Sequence, residues 1–235
     1  MSKLLQCNPE KALLGILMLE TTFPRIKGDI GNPDTFAFPV LYETVVGASP
    51  KKVVIEADEG LLEGFIEAGG ALVKKGVRVI TTSCGFLSLF HRQLADALPV
   101  PVFTSSLLQA HLARAIIRPD QKIGIITASR PSLTAAHLAG VGIQDYSLAI
   151  IGMEGKTEFS SVFIDGKPTL NEHLCRLEMQ SVAAQLVHNH PDVGAIVLEC
   201  TNMPPYSDTV RQVTRLPVFD AVTMVNYAHW VLAAG

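Results

Sequence analysis

Two cysteines, Cys84 and Cys200, close two copies of one local pattern. The first copy reads Val77-Arg-Val-Ile-Thr-Thr-Ser-Cys84, the second Val193-Gly-Ala-Ile-Val-Leu-Glu-Cys200. Without a gap, Phe90 then falls on Tyr206, and Pro101-Val102-Phe103 falls on Pro217-Val218-Phe219. Each copy begins as a β-branched apolar run, which reads as a strand, and its cysteine falls where a helix should follow. Exposed N–H groups and the helix dipole at such a place favour an anion, so a thiol there ionises more readily. A Cys–His nucleophile needs a base beside the thiol. His91 and His111 occur in the first half only, with no aligned counterpart in the second. Two facing thiols suit proton exchange at a stereocentre instead. One thiolate removes a proton while the opposing thiol delivers one to the other face. With reacting atoms about 3–3.5 Å apart, the sulfurs would stand roughly 7 Å from each other, so no Cys84–Cys200 bridge is expected.

The neighbours of these cysteines are those of a small polar anion site. Thr82 and Ser83 precede the first, and Gly85 after it lets a ligand approach the backbone closely. Thr201 and Asn202 follow the second and offer a hydroxyl and an amide. The other two cysteines, Cys7 and Cys175, read as small buried hydrophobes. No Cys-x-x-Cys pair or zinc-like spacing occurs. His188-Asn189-His190-Pro191 fits a helix end better than a metal pair. No metal and no cofactor are expected.

The elements that must position the cysteines alternate between strand and helix. Ala12–Leu19, Lys52–Ala57, Val77–Thr82, Val100–Phe103, Lys122–Thr127, Leu148–Gly152, Ala195–Leu198 and Val218–Phe219 read as buried strands. Their runs are nearly continuous rather than alternating, the mark of strands covered on both faces and hence of parallel sheets. Helices are expected over Glu59–Lys75, Leu87–Ala97, Leu107–Ile117, Pro131–Ala139, Asn171–His188 and Thr223–Ala234. The fold class is therefore α/β, two pseudo-symmetric doubly wound parallel-sheet halves with the active site in the cleft between them. Residues 1–103 plus 217–235 form the expected first lobe and 104–216 the second, with the terminal helix crossing back. The irregular stretch Glu20–Val40 follows the first strand, at the sheet end where open α/β folds bind ligands. It either lines the site or is a long surface connection.

Bulk composition narrows the function. A net charge of −3 with no basic cluster, and only 6% aromatic residues, argue against a nucleic-acid groove or an anionic-membrane patch. No apolar run reaches the roughly 18–20 residues of a membrane helix, and the N-terminus lacks a signal-like apolar core. A cytoplasmic protein with a small-molecule partner is expected.

At Cys84, Cys200 and the block Glu199-Cys200-Thr201 the chain resembles the aspartate/glutamate/hydantoin racemase superfamily, over most of its length. The resemblance implies two α/β halves, a cysteine acid/base pair, a small carboxylate substrate and a homodimer. It makes Cys84 and Cys200 the catalytic pair, and has Thr201 bind the substrate carboxylate with Thr82, Ser83, Gly85 and Asn202 nearby. Glu20 or Asp29 is a candidate for tuning the first thiol, and Glu199 either tunes the second or faces away as the strand's outward residue. Departures bear on the substrate. Such racemases usually carry Cys-Asn-Thr at the first cysteine, where this chain has Cys84-Gly85-Phe86, and glycine before the second, where it has Glu199. Glutamate racemases place histidine where Asn202 stands. Arg25, Lys27 or Arg130 could supply a cation for an acidic substrate, although a solvated surface role fits each better. The leading expectation is a cofactor-independent isomerase, a racemase or epimerase of an amino acid or related small carboxylate. The alternatives are a decarboxylase or cis–trans isomerase of a dicarboxylic acid in the same superfamily, or a non-catalytic small-carboxylate binding protein.

Overall fold

The computed structural model describes residues 12–233, so Cys7 lies outside the described residues. Eight strands form two four-stranded parallel sheets with the same internal order. In the first sheet β1 (Leu14–Met18) is flanked by β2 (Val40–Thr44) and β3 (Val79–Thr82), and β4 (Val102–Phe103) pairs with β3. In the second, β5 (Lys122–Thr127) is flanked by β6 (Leu148–Gly152) and β7 (Val193–Leu198), and β8 (Val218–Phe219) pairs with β7. All residues of β3 and β7 are buried, as strands covered on both faces must be.

The helices are α1 (Leu62–Lys74), α2 (His91–Ala97), α3 (Ala110–Ile116), α4 (Ala135–Gly140), α5 (Thr157–Phe163), α6 (Glu172–Asn189), α7 (Ser207–Thr214) and α8 (Ala221–Ala233). The pseudo-symmetry extends to packing. A Cβ on Gly15 of β1 would stand 2.8 Å from Leu72 of α1, and one on Gly124 of β5 would stand 2.9 Å from Leu186 of α6. In both halves a glycine therefore lets the long helix seat directly on the central strand.

Several elements differ from the sequence expectation. Lys51–Ile55, expected as part of a strand, is a π-helical turn that buries only Val53 and Val54. The sheet edge it would have filled belongs to β2, a half-buried strand whose mixed Val-Leu-Tyr-Glu-Thr run lacks the continuous apolar signature. Pro131 lies ahead of α4, which starts at Ala135 with Thr134 and His137 forming a reciprocal cap. The short helices α5 and α7 have no clear counterpart in the sequence reading. At the C-terminus β8 stays with the second sheet, so the chain changes lobe after Phe219 rather than at Pro217. Helix α8 does cross over: Ala221, Val225 and Ala228 pack with Leu14, Ile16 and Val79 beneath the first sheet.

Candidate active site

Parallel strands deliver both cysteines to one place. Cys84 follows β3 in extended conformation and starts the 3₁₀ turn Gly85–Phe90; Cys200 follows β7 and leads through a turn into the 3₁₀ segment Pro204–Tyr206. Both thiols are free, both are buried, and both line the same cavity. Its polar wall includes Ser83, Gly85, Glu199, Thr201, Asn202, Thr21 and Arg25, and Phe23, Phe86 and Phe163 close the rest. Phe23, from the loop after β1, meets Phe163, from the end of α5, edge-to-face at 5.1 Å. The free volume is about 20 Å³, room for about one water. A wider cavity of about 610 Å³ shares Thr21, Phe23, Pro50 and Ile164 with it and opens beside it as a vestibule.

The two thiols are held differently. Burial, and secondarily the charge of Glu199, push Cys84 up to about 12, while N–H groups of Phe86 and Leu87 favour its thiolate. Cys200 is pushed well above the usual thiol range by burial, then by Glu199, with Cys84 and Asp29 adding to the effect against an N–H from Asn202. Its Sγ also donates to Asn202 Oδ1 at 3.5 Å. Burial therefore keeps both sulfurs as thiols, and a positive charge entering between them would favour ionisation.

Glu199 is the residue the sequence reading left least defined, with the option that it faces outward. It faces inward. Its side chain has no exposure, Oε2 accepts from Thr127 Oγ1 at 2.8 Å and from the Ala128 N–H at 3.4 Å, and Oε1 has no partner. Burial raises its carboxyl to about 7. A Cβ on Gly85 would lie 2.2 Å from both the Glu199 carbonyl oxygen and Oε1. The two departures from the racemase pattern are thus one feature: glycine at 85 makes the space that the Glu199 side chain occupies.

The remaining candidates divide. Asp29 is buried beside the site; one carboxylate oxygen accepts from Asn202 Nδ2 at 2.6 Å, and the other accepts from Arg25 at 2.9 Å and from the Gly31 N–H at 2.7 Å. Arg25, for which a solvated surface role is preferred above, is instead the cation among the lining residues, and its guanidinium lies 4.8 Å over the Phe23 ring. The Glu20–Val40 stretch therefore lines the site. Ser83 lines the cavity while its hydroxyl accepts from the Leu19 N–H at 2.9 Å. Three expectations are corrected. The Thr82 hydroxyl donates to the carbonyls of Cys84 and Thr104, holding the strand end rather than facing a ligand. The Thr201 hydroxyl proton is given to the Ser83 carbonyl at 2.5 Å, a bond between lobes, while Thr201 itself lines the cavity, which leaves its N–H rather than its hydroxyl proton for a ligand. Glu20 is exposed, accepts from the Gly47 N–H at 2.8 Å and lines the vestibule, away from the thiols. Lys27 and Arg130 are exposed and outside the cavity. Cys175 is a core residue, and among the described residues no three His, Cys, Asp or Glu side chains gather as a metal site. No helix among them is long and apolar enough to cross a membrane. Phe23, Phe86 and Phe163 were missed, because an apolar side chain in a cavity wall has the same sequence signature as one in a core, and Thr127 because nothing local marks a hydroxyl that serves Glu199 on the neighbouring strand.

Two pseudo-symmetric parallel-sheet lobes with a cysteine at the end of an equivalent strand in each define the fold of the aspartate/glutamate/hydantoin racemase superfamily. Solved structures with this fold include the Gly74Cys mutant of arylmalonate decarboxylase (15% identity, 94% of each chain, TM-score 0.66). Allantoin racemase from Klebsiella pneumoniae has a TM-score of 0.63 at 16% identity, over 94% of this chain and 89% of that one. No family model matches the sequence. Within the fold, the chain belongs to the dimethylsulfoniopropionate lyase family. It is 33% identical over 227 residues to dimethylsulfoniopropionate lyase of Durusdinium sp. clade D, covering 94% of this chain and 75% of that protein. It is also 33% identical to dimethylsulfoniopropionate lyase 7 of Emiliania huxleyi (strain CCMP1516), over 96% of this chain and 68% of the relative. The match to lyase 3 of that strain spans 58% of the relative. These relatives overturn the expectation of an amino-acid racemase or epimerase, and with it the isomerase class. They agree better with the alternatives raised from the sequence, among which the decarboxylase is itself a bond-cleaving enzyme that needs a single cysteine to carry a proton.

Proposed function

We propose that this protein is a lyase that breaks the carbon–sulfur bond of dimethylsulfoniopropionate or a close sulfonium propionate. Membership of a family whose relatives bear that name carries the reading, and the cavity chemistry supports it. Such a substrate has an acidic C–H beside its carboxylate and a sulfonium on the next carbon. A base removes the proton, the C–H electron pair becomes the C=C bond, and the C–S pair leaves with sulfur. The products are acrylate, neutral dimethyl sulfide and a proton held on the base.

Cys84 fits the base better than Cys200. Glu199 opposes ionisation of both thiols, but Cys84 has two backbone N–H groups and Arg25 favouring its thiolate, whereas Cys200 has one N–H group, from Asn202, against the added charges of Cys84 and Asp29. The substrate's own positive charge would lower the Cys84 pKa on arrival. A neutral sulfide needs no acid to help it leave, so Cys200 can stay a thiol and donate to the negative charge that develops on the carboxylate side. Arg25 offers the cation for that carboxylate. The proton passed to Cys84 contributes roughly 10²–10⁴-fold, the usual range for a positioned base. The substrate would enter from the vestibule, past Thr21, Phe23, Pro50 and Ile164, which line both cavities.

The test is to incubate the protein with dimethylsulfoniopropionate and follow dimethyl sulfide in the headspace and acrylate by proton NMR. Equimolar release of both, lost in Cys84→Ser, is the expected result. A folded protein that releases neither would remove this reading.

A further inference from the structure

An unpartnered carboxylate oxygen on a residue that lines the two-cysteine cavity is the feature that the proton chemistry above does not use. Glu199 Oε1 has no hydrogen-bond partner, while Oε2 is fixed by Thr127 and Ala128. The walls beside it carry Leu19, Phe23, Val54, Phe86, Phe163 and Ile164, while the side-chain groups of Ser83, Thr201 and Asn202 are already engaged with the Leu19 N–H, the Ser83 carbonyl, and Cys200 and Asp29. A primary ammonium would arrive with three N–H donors to satisfy. An onium group, with alkyl substituents in place of N–H, needs only a counter-charge and a surface of apolar or aromatic groups. The site has both. The same charge is the main electrostatic influence holding both thiols protonated. A cation placed against it would neutralise that influence in the act of binding.

We propose that Glu199 forms an onium subsite: its free Oε1, beside Phe86 and the Gly85 backbone, receives the positively charged headgroup of the substrate. This rests on the lyase reading of the site and names the residue that selects a charged sulfonium over a neutral group of equal shape. Gly85 serves the subsite by leaving the carboxylate room, since any Cβ there would strike it.

Two probes of nearly equal size test the assignment by calorimetry: 3-(trimethylammonio)propanoate and its isostere with an uncharged headgroup, 4,4-dimethylpentanoate. The wild-type protein is expected to bind the ammonium probe about 10- to 100-fold more tightly. In Glu199→Gln the preference falls to within about 3-fold, chiefly through lost affinity for the cation, with an intact far-ultraviolet spectrum. Equal binding of the probes by wild type, or binding of neither, overturns the subsite. So does a Glu199→Gln protein that keeps the preference and loses only turnover, which would mark a proton acceptor instead. If the variant fails to fold, the wild-type preference is followed from about pH 5.5 to 8.5. The ionisable groups around Glu199 are Cys84 and Cys200 at the strand ends, with Asp29 and Arg25 from the loop after β1. Without a ligand, burial keeps both thiols protonated over this range, so a preference growing as Glu199 ionises supports the subsite and a flat one overturns it. Onium preference without sulfide release from dimethylsulfoniopropionate would retain the subsite and remove the lyase reading; the converse would do the reverse.

Discussion

The two cysteine-bearing strand ends share a backbone plan and differ in chemistry. At the β3 end Cys84 is followed by a glycine whose missing side chain admits Glu199 from the other lobe, and two backbone N–H groups face its sulfur. At the β7 end Cys200 is held by Asn202, which is tied to Asp29 and through it to Arg25. A racemase needs two interchangeable thiols. An elimination needs one base, and the second thiol is free to become something else. Duplicated architecture is thus no evidence for duplicated function: sheet packing keeps the scaffold alike while single residues set apart what each end can do.

Replacing each thiol in turn should break the comparison most sharply. Cys84→Ser is expected to reduce sulfide release by roughly 10³-fold or more, and Cys200→Ser by about 10- to 100-fold, measured as initial rates by headspace chromatography. Equal losses would restore a symmetric pair. The next effect concerns stability. Glu199 has a carboxyl raised from 4.5 to about 7 in the fold, so its favourable contribution is complete below pH 4.5 and is lost as pH rises through 7. Glu199→Gln should therefore gain up to about 3 kcal/mol relative to wild type between about pH 4.5 and pH 8, read by urea unfolding at both values. A smaller effect is expected from Gly85→Ala. The new methyl meets a backbone oxygen that cannot swing away, and a loss of about 2 kcal/mol in the same assay is expected. Smallest of all, Asn202→Ala should free Cys200 from its acceptor and Asp29 from its amide, lowering turnover about tenfold with little change in KM. A KM effect larger than the kcat effect would move Asn202 from positioning the thiol to binding substrate.

Much of the scaffold was legible because parallel strands covered on both faces leave continuous apolar runs, and β1, β3, β5 and β7 all do so. Strand β2 was not, since an edge strand needs only half its surface apolar. The π-helical turn at Lys51–Ile55 was misread because three consecutive aliphatic residues carry no period that separates a strand from a turn. Among site residues, the cysteines were found through repetition, and Asp29 through its place after the first strand. The hydroxyls of Thr82 and Thr201 were assigned to a ligand because a sequence does not reveal which backbone carbonyl a donor already serves.

By itself the sequence determined the two-lobed parallel architecture and the meeting of two thiols at equivalent strand ends, because burial on both faces and duplication leave marks in local order. Tertiary structure alone decided that Glu199 turns inward against Gly85, that Asp29 reaches Asn202, and that Thr201 ties the lobes together. These are contacts between residues far apart in the chain, set by how two sheets face each other, and no local pattern encodes the direction in which a side chain leaves the end of a strand.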